Sequence, residues 1–156
     1  MLIASRFALA MLIAACVSNL ALADTVTVSN PWARATVPGQ KGAGIFLTLT
    51  SAVDSRLMSA TSPVAAFGQV HEMRMEGDVM KMHAMKDGLE IPAGKTIELK
   101  PGSYHVMLMD LKAPLLKDTT IPVTLLFVDA KGVESKTELT VPVNAMAHMQ
   151  MSHTSN

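Results

Sequence analysis

Five histidines and thirteen methionines occur in this chain of 156 residues, and every histidine has a methionine within two positions. The densest stretch is HEMRMEGDVMKMHAMKDG, residues 71–88, followed by YHVMLM at 104–109. Imidazole and thioether together suit a soft ion such as Cu(I), whereas Mg, Ca and Mn take oxygen ligands. A thioether has no proton to lose and cannot be oxidised to a disulfide, so it keeps binding in an oxidising compartment where a cysteine pair would be at risk.

Spacing decides which of these side chains can meet. Gly77-Asp78 reads as the two-residue loop of a hairpin over 71–85, because glycine in the first loop position suits a type II′ turn. Glu76 then faces Val79, Met75 faces Met80, Met73 faces Met82, and His71 faces Ala84. Side chains alternate along a strand, so His71, Met73, Met75, Met80 and Met82 share one face. His105, Met107 and Met109 share one face of a later strand. His83 and Met85 have the opposite parity to Met82 and are expected to face away. A helix is the competing reading, but it would carry Gly77 in its interior at a cost of about 1 kcal/mol against alanine. The plainer account of the methionines is packing, since methionine fills cores. Against it, imidazole among thioethers leaves ring nitrogens desolvated unless something binds them.

The surrounding sequence predicts an all-β protein. TVTVS (25–29), GIFLTLTS (44–51), TIEL (96–99), YHVMLMDL (104–111), TIPVTLLFVDA (120–130) and ESKTELTVPV (134–143) are short and rich in Val, Ile, Leu and Thr. Turn residues separate them, among them Pro31, Gly39, Pro63 and Pro101-Gly102. This pattern predicts a sandwich or a Greek-key barrel. Pro122 and Pro142 are expected at strand starts, edges or bulges. Trp32 is expected in the core.

The termini read differently. Arg6, an apolar run from Phe7 to Cys16, and Ala21-Leu22-Ala23 have the form of a secretory signal over residues 1–23. The apolar run falls short of the roughly 20 residues a membrane-spanning helix needs. Cleavage after Ala23 would begin the mature chain at Asp24, in the periplasm. The second reading takes Ile13-Ala14-Ala15-Cys16 as a lipobox, with Cys16 lipidated and the protein held at a membrane. With residues 1–23 removed, Arg6 is lost and 12 basic residues face 13 acidic ones. No basic patch argues for nucleic acid. Without Cys16 there is no thiol, which excludes disulfides, zinc-thiolate sites and a blue-copper centre. Residues 145–156, AMAHMQMSHTSN, read as a flexible tail.

The chain resembles the periplasmic copper chaperone family called PCuAC. The family pattern is His, ten residues, Met, about twenty-one residues, then His-x-Met. Here His71 is followed by ten residues and Met82, then by twenty-two residues and His105-Val106-Met107. The additional residue fits in the loop between Lys86 and Lys95. NPWARAT (30–36), IFLTLTS (45–51) and LKPGSYHVMLMDL (99–111) also resemble family segments. The resemblance implies a cupredoxin-like Greek-key β-sandwich over residues 24–144, binding one Cu(I) through His71, Met82, His105 and Met107. It implies an exposed site and delivery toward the copper subunits of cytochrome oxidase, with Sco-type thiol proteins acting nearby. Some relatives carry a Met/His-rich extension. Met146, His148, Met149, Met151 and His153 would be its counterpart, with Cu(II) as a further ligand. Met73 and Met75 would form a soft surround. The expected function is therefore a metal carrier without catalysis. The alternatives are a copper-dependent redox enzyme, for which no acid-base constellation is apparent, and an Ig-like structural or adhesion domain with Met-rich packing.

Overall fold

The computed structural model describes residues 25–145; the expected signal, Cys16 and the tail residues Met146, His148, Met149, Met151 and His153 lie outside them. Ten strands form in chain order: β1 (Val26–Arg34), β2 (Gly42–Ser51), β3 (Ser55–Thr61), β4 (Phe67–Glu76), β5 (Val79–Ala84), β6 (Leu89–Ile91), β7 (Thr96–Leu99), β8 (Tyr104–Met109), β9 (Thr120–Asp129) and β10 (Glu134–Asn144). No helix occurs among the described residues. The fold is the expected all-β, cupredoxin-like Greek-key sandwich.

Hydrogen bonding runs in the order β5-β4-β8-β2-β1-β10-β9-β3-β6, with β7 also on β2. The order closes on itself through one pairing, Ala60 on β3 with Gly68 on β4. Closure there requires glycine, because a Cβ at residue 68 would stand 2.5 Å from the Ala60 carbonyl oxygen. Inward positions fill the interior: Ile45, Leu47 and Leu49 from β2, Val70 from β4, Val106 and Leu108 from β8, and Val123, Leu125 and Phe127 from β9. Each of these side chains is at most 2% exposed, so the sheet has one committed inner face. That commitment sets the register, since a slip by one residue would turn the whole apolar set outward.

Three strands differ from the sequence expectation. β1 does not stop at residue 29. It passes through a bulge between Ser29 and Trp32, where Asn30 takes φ 50°, and continues to Arg34. The bulge accommodates Pro31, which has no N–H to give a ladder. β3, with the mixed sequence SRLMSAT, and the three-residue β6 lack the alternation that marks a strand in sequence. They form because β3 is paired along β9 on one edge and along β6 on the other.

Candidate metal centre

The β4–β5 hairpin pairs in the register that its two-residue loop dictates: Glu76 with Val79, Met75 with Met80, Met73 with Met82, and His71 with Ala84. Gly77 has φ 63°, and Asp78 is not in the left-handed region, as a type II′ turn requires. On its other edge β4 pairs with β8, which sets His71 directly opposite His105 and Gln69 opposite Met107. Val70 and Val106 point into the core at 1% and 0% exposure. Alternation therefore sends His71, His105, Met82 and Met107 to the outer face together.

The two rings meet edge to face with centroids 5.6 Å apart. Although on the outer face, both histidines are buried, at 6% and 7% exposure. The Nδ1–H of His105 donates to the Ser103 carbonyl at 3.3 Å, which leaves the Nε2 lone pair free; it points at Met82 Sδ, 3.2 Å away. His71 is held through its other nitrogen, with Nε2–H donating to Gln69 Oε1 at 3.1 Å. Its Nδ1 is buried and has no hydrogen-bond partner. A buried nitrogen lone pair without a partner is costly, and this one sits beside a second imidazole whose free lone pair meets only a thioether sulfur. Met107 lies on β8 two residues beyond His105, and its methyl fills the space that a side chain at Gly42 would take: a Cβ there would stand 2.6 Å from it.

Both imidazoles are biased toward the neutral form. Burial lowers the pKa of His71 below the reference value of 6.5, and the neighbouring His105 lowers it further. Burial also lowers His105; its bond to the Ser103 carbonyl opposes that shift, and the charge of Arg34 reinforces it. No three His, Cys, Asp or Glu side chains converge among the described residues. The donor set at this place is imidazole and thioether.

Other expected residues fall as follows. Met73 is half-buried and Met75 exposed, both on the same face as His71. His83 lies on the opposite face, 2.8 Å from Glu76 Oε1, and Met85 packs against the core. Trp32 is not in the core. It is half-buried on the outer face, tilted against Phe46 with centroids 4.5 Å apart, because the bulge in β1 resets its parity opposite Phe46. Phe46 in turn lies 6.2 Å from the His105 ring, with the Arg34 guanidinium 5.5 Å from its centroid. Sequence reading missed this supporting set of Phe46, Arg34 and Gln69. Only Gln69 left a signal, a polar side chain at the parity of His71. A cleft of about 630 Å³ bounded by Arg56, Glu90 and Asp129 lies on β3, β6 and β9 and includes none of these donors.

Residues 26–151 match the family model described as "Putative lipoprotein LpqE-like". A protein of Leifsonia xyli subsp. xyli, "Putative lipoprotein Lxx21020", is 39% identical over 121 residues, covering 78% of this chain and 70% of its own. Among solved structures, Cu(I)-bound DR1885 from Deinococcus radiodurans matches with a TM-score of 0.59 at 27% identity, over 81% of this chain and 85% of that one. The copper-bound PCuAC domain from PmoF2 matches with a TM-score of 0.61 over 78% of this chain and 93% of that domain. At 20% identity, its likeness concerns the fold.

Proposed function

The chain belongs to the LpqE-like family of PCuAC-type proteins, and from that premise we propose that it is a copper chaperone, carrying Cu(I) between His71, His105, Met82 and Met107. The observation that carries this reading is the approach of His105 Nε2 to Met82 Sδ at 3.2 Å beside the unpartnered His71 Nδ1. Two donors bound to one ion at about 2.0 Å (nitrogen) and 2.3 Å (sulfur) stand about 3.5 Å apart at a tetrahedral angle. The pair is thus already near the separation that a shared ion needs. Soft, uncharged donors favour Cu(I). Met82 is 49% exposed, which opens one side of the site to ligand exchange with a partner. The packing alternative loses ground here, because methionines at this exposure fill no core.

The receiving partner in this proposal is a copper centre of a respiratory oxidase or a Sco-type thiol assembly protein, and the protein acts outside the cytoplasm without catalysis. The word lipoprotein in the names of both the family and the Leifsonia relative favours anchoring through Cys16 over cleavage after Ala23. The mass of the mature N-terminus, lipidated Cys16 or free Asp24, separates the two routes. His148 and His153 would add Cu(II) capacity, tested by deleting residues 145–156; unchanged Cu(II) binding leaves the tail without that role. The central experiment is a competition titration against a Cu(I) chelator. One Cu(I) per chain, lost on replacing His105 or Met82, is the expected result. Preference for Zn(II) at His71 and His105 would overturn the proposal.

A further inference from the structure

Beyond the four proposed ligands, the hairpin carries three more thioethers that the site does not use. β8 ends its pairing with β4 at Glu72–Tyr104, and the last bond across that edge is from Met73 N to the Ser103 carbonyl. Residues 74–81 therefore pair only with one another, as a two-stranded arm projecting past the sheet with both faces in water. One face carries two ion pairs, Arg74 with Glu72 at 2.7 Å and Lys81 with Glu76 at 2.6 Å, and the His83 ring lies 2.8 Å from Glu76. The other face is methionine alone, with Met75 55% and Met80 45% exposed. Water-exposed strand positions favour threonine and β-branched residues, and these thioethers fill no cavity. Packing therefore does not account for them.

We infer that Met75 and Met80, with Met73 beside them, form a second, weaker site for a soft monovalent cation at the hairpin arm, from which Cu(I) passes to Met82. The inference rests on the Cu(I) reading of the His71–His105 centre. Met75 and Met80 are direct cross-strand partners, which places their Cβ atoms about 4.5–5.5 Å apart. With three rotatable bonds each, both sulfurs can turn onto one ion. The next rung toward the histidines is Met73 with Met82, about 7 Å along the strands, and Met82 is already in contact with His105. Each step exchanges one neutral thioether for another. Copper stays Cu(I), and no proton or electron moves. The outer rung has only thioethers and is open to water, whereas the inner site adds two imidazoles and burial. The ion therefore binds more weakly outside and moves inward.

The test is a titration of the folded protein with Ag(I), a redox-inert substitute for Cu(I), followed by NMR of the methionine ε-methyls and histidine rings. The first equivalent should shift the His71 and His105 rings together with the Met82 methyl, and the second should shift Met75 and Met80. Met75→Leu/Met80→Leu keeps the size of the side chains and the ion pairs on the opposite face. It should leave the thermal midpoint and the first equivalent unchanged, abolish the second, and slow Cu(I) loading from a chelator several-fold. Methyls of Met75 and Met80 that stay unmoved at excess Ag(I), or a double variant that still takes the second equivalent, would overturn the inference. Rings of His71 and His105 that do not respond to the first equivalent would instead overturn the proposed function.

Discussion

Acidification should weaken the Cu(I) site in a way whose size follows from its two imidazoles. Each ring must be neutral to bind, so each multiplies the apparent dissociation constant by one plus the ratio of its protonated to its neutral form. Two unperturbed rings of pKa about 6.5 would weaken binding about 4-fold at pH 6.5 and about 120-fold at pH 5.5. Burial lowers both pKa values, and the ring centroids are only 5.6 Å apart, so a charge on one opposes a charge on the other. Measured losses should therefore fall below those two figures, with the decline displaced to lower pH. Replacing His71 by Met removes one of the two factors, so the bound at pH 5.5 becomes about 11-fold. The assay is chelator competition from pH 7.5 to 4.5, corrected for the chelator's own protonation. Affinity flat across that range would refute imidazole ligation, and a full fourfold loss at pH 6.5 would refute the burial of the rings. The apo fold has the same sign. His71 and His105 have pKa values below the unfolded value of 6.5, so below that pH the unfolded chain binds more protons at these two rings. Stability is complete above about pH 6.5 and is lost as pH falls through the lowered folded values.

Gly42→Ala should weaken Cu(I) binding roughly tenfold without touching a ligand, because the new Cβ meets the Met107 methyl at 2.6 Å and drives it aside; affinity equal to the parent would show that Met107 does not need that gap. His83→Ala should leave Cu(I) affinity within about twofold while His105→Ala abolishes tight binding, since His83 lies on the opposite face of the hairpin; equal damage from both would contradict the hairpin register. Gly68→Ala should lower stability by about 1–3 kcal/mol in urea unfolding, because its Cβ would meet backbone, the Ala60 carbonyl, which cannot swing away as a side chain can. A neutral Gly68→Ala would mean that the β3–β4 closure is looser than this contact implies.

Two kinds of information were legible in the sequence because they are local. A two-residue Gly-Asp loop determines its hairpin register, and register with strand parity determines which side chains share a face; that placed His71, Met73, Met75, Met80 and Met82 together, and His105 with Met107. The donor chemistry was equally readable, since residue types alone decide between thioether-imidazole and oxygen or thiolate sites. The pairing of the two segments was different. β4 and β8 are separated by some thirty residues and three intervening strands, and no local rule says that they are neighbours. Only the closed sheet sets His71 opposite His105.

The sequence by itself determined the strand-rich class, the hairpin and the soft donor set. Tertiary structure decided the tautomers, through the Ser103 carbonyl and Gln69, and the lowered imidazole pKa values, through burial and Arg34. It also moved Trp32 from the expected core to the outer face, where it packs on Phe46 beside His105, because a bulge at Asn30–Pro31 changes parity in a way that composition does not record. The physical reason is range. Alternation and turn geometry act over a few residues, whereas burial, charge and cross-strand partners come from chain segments that only the folded sheet brings together.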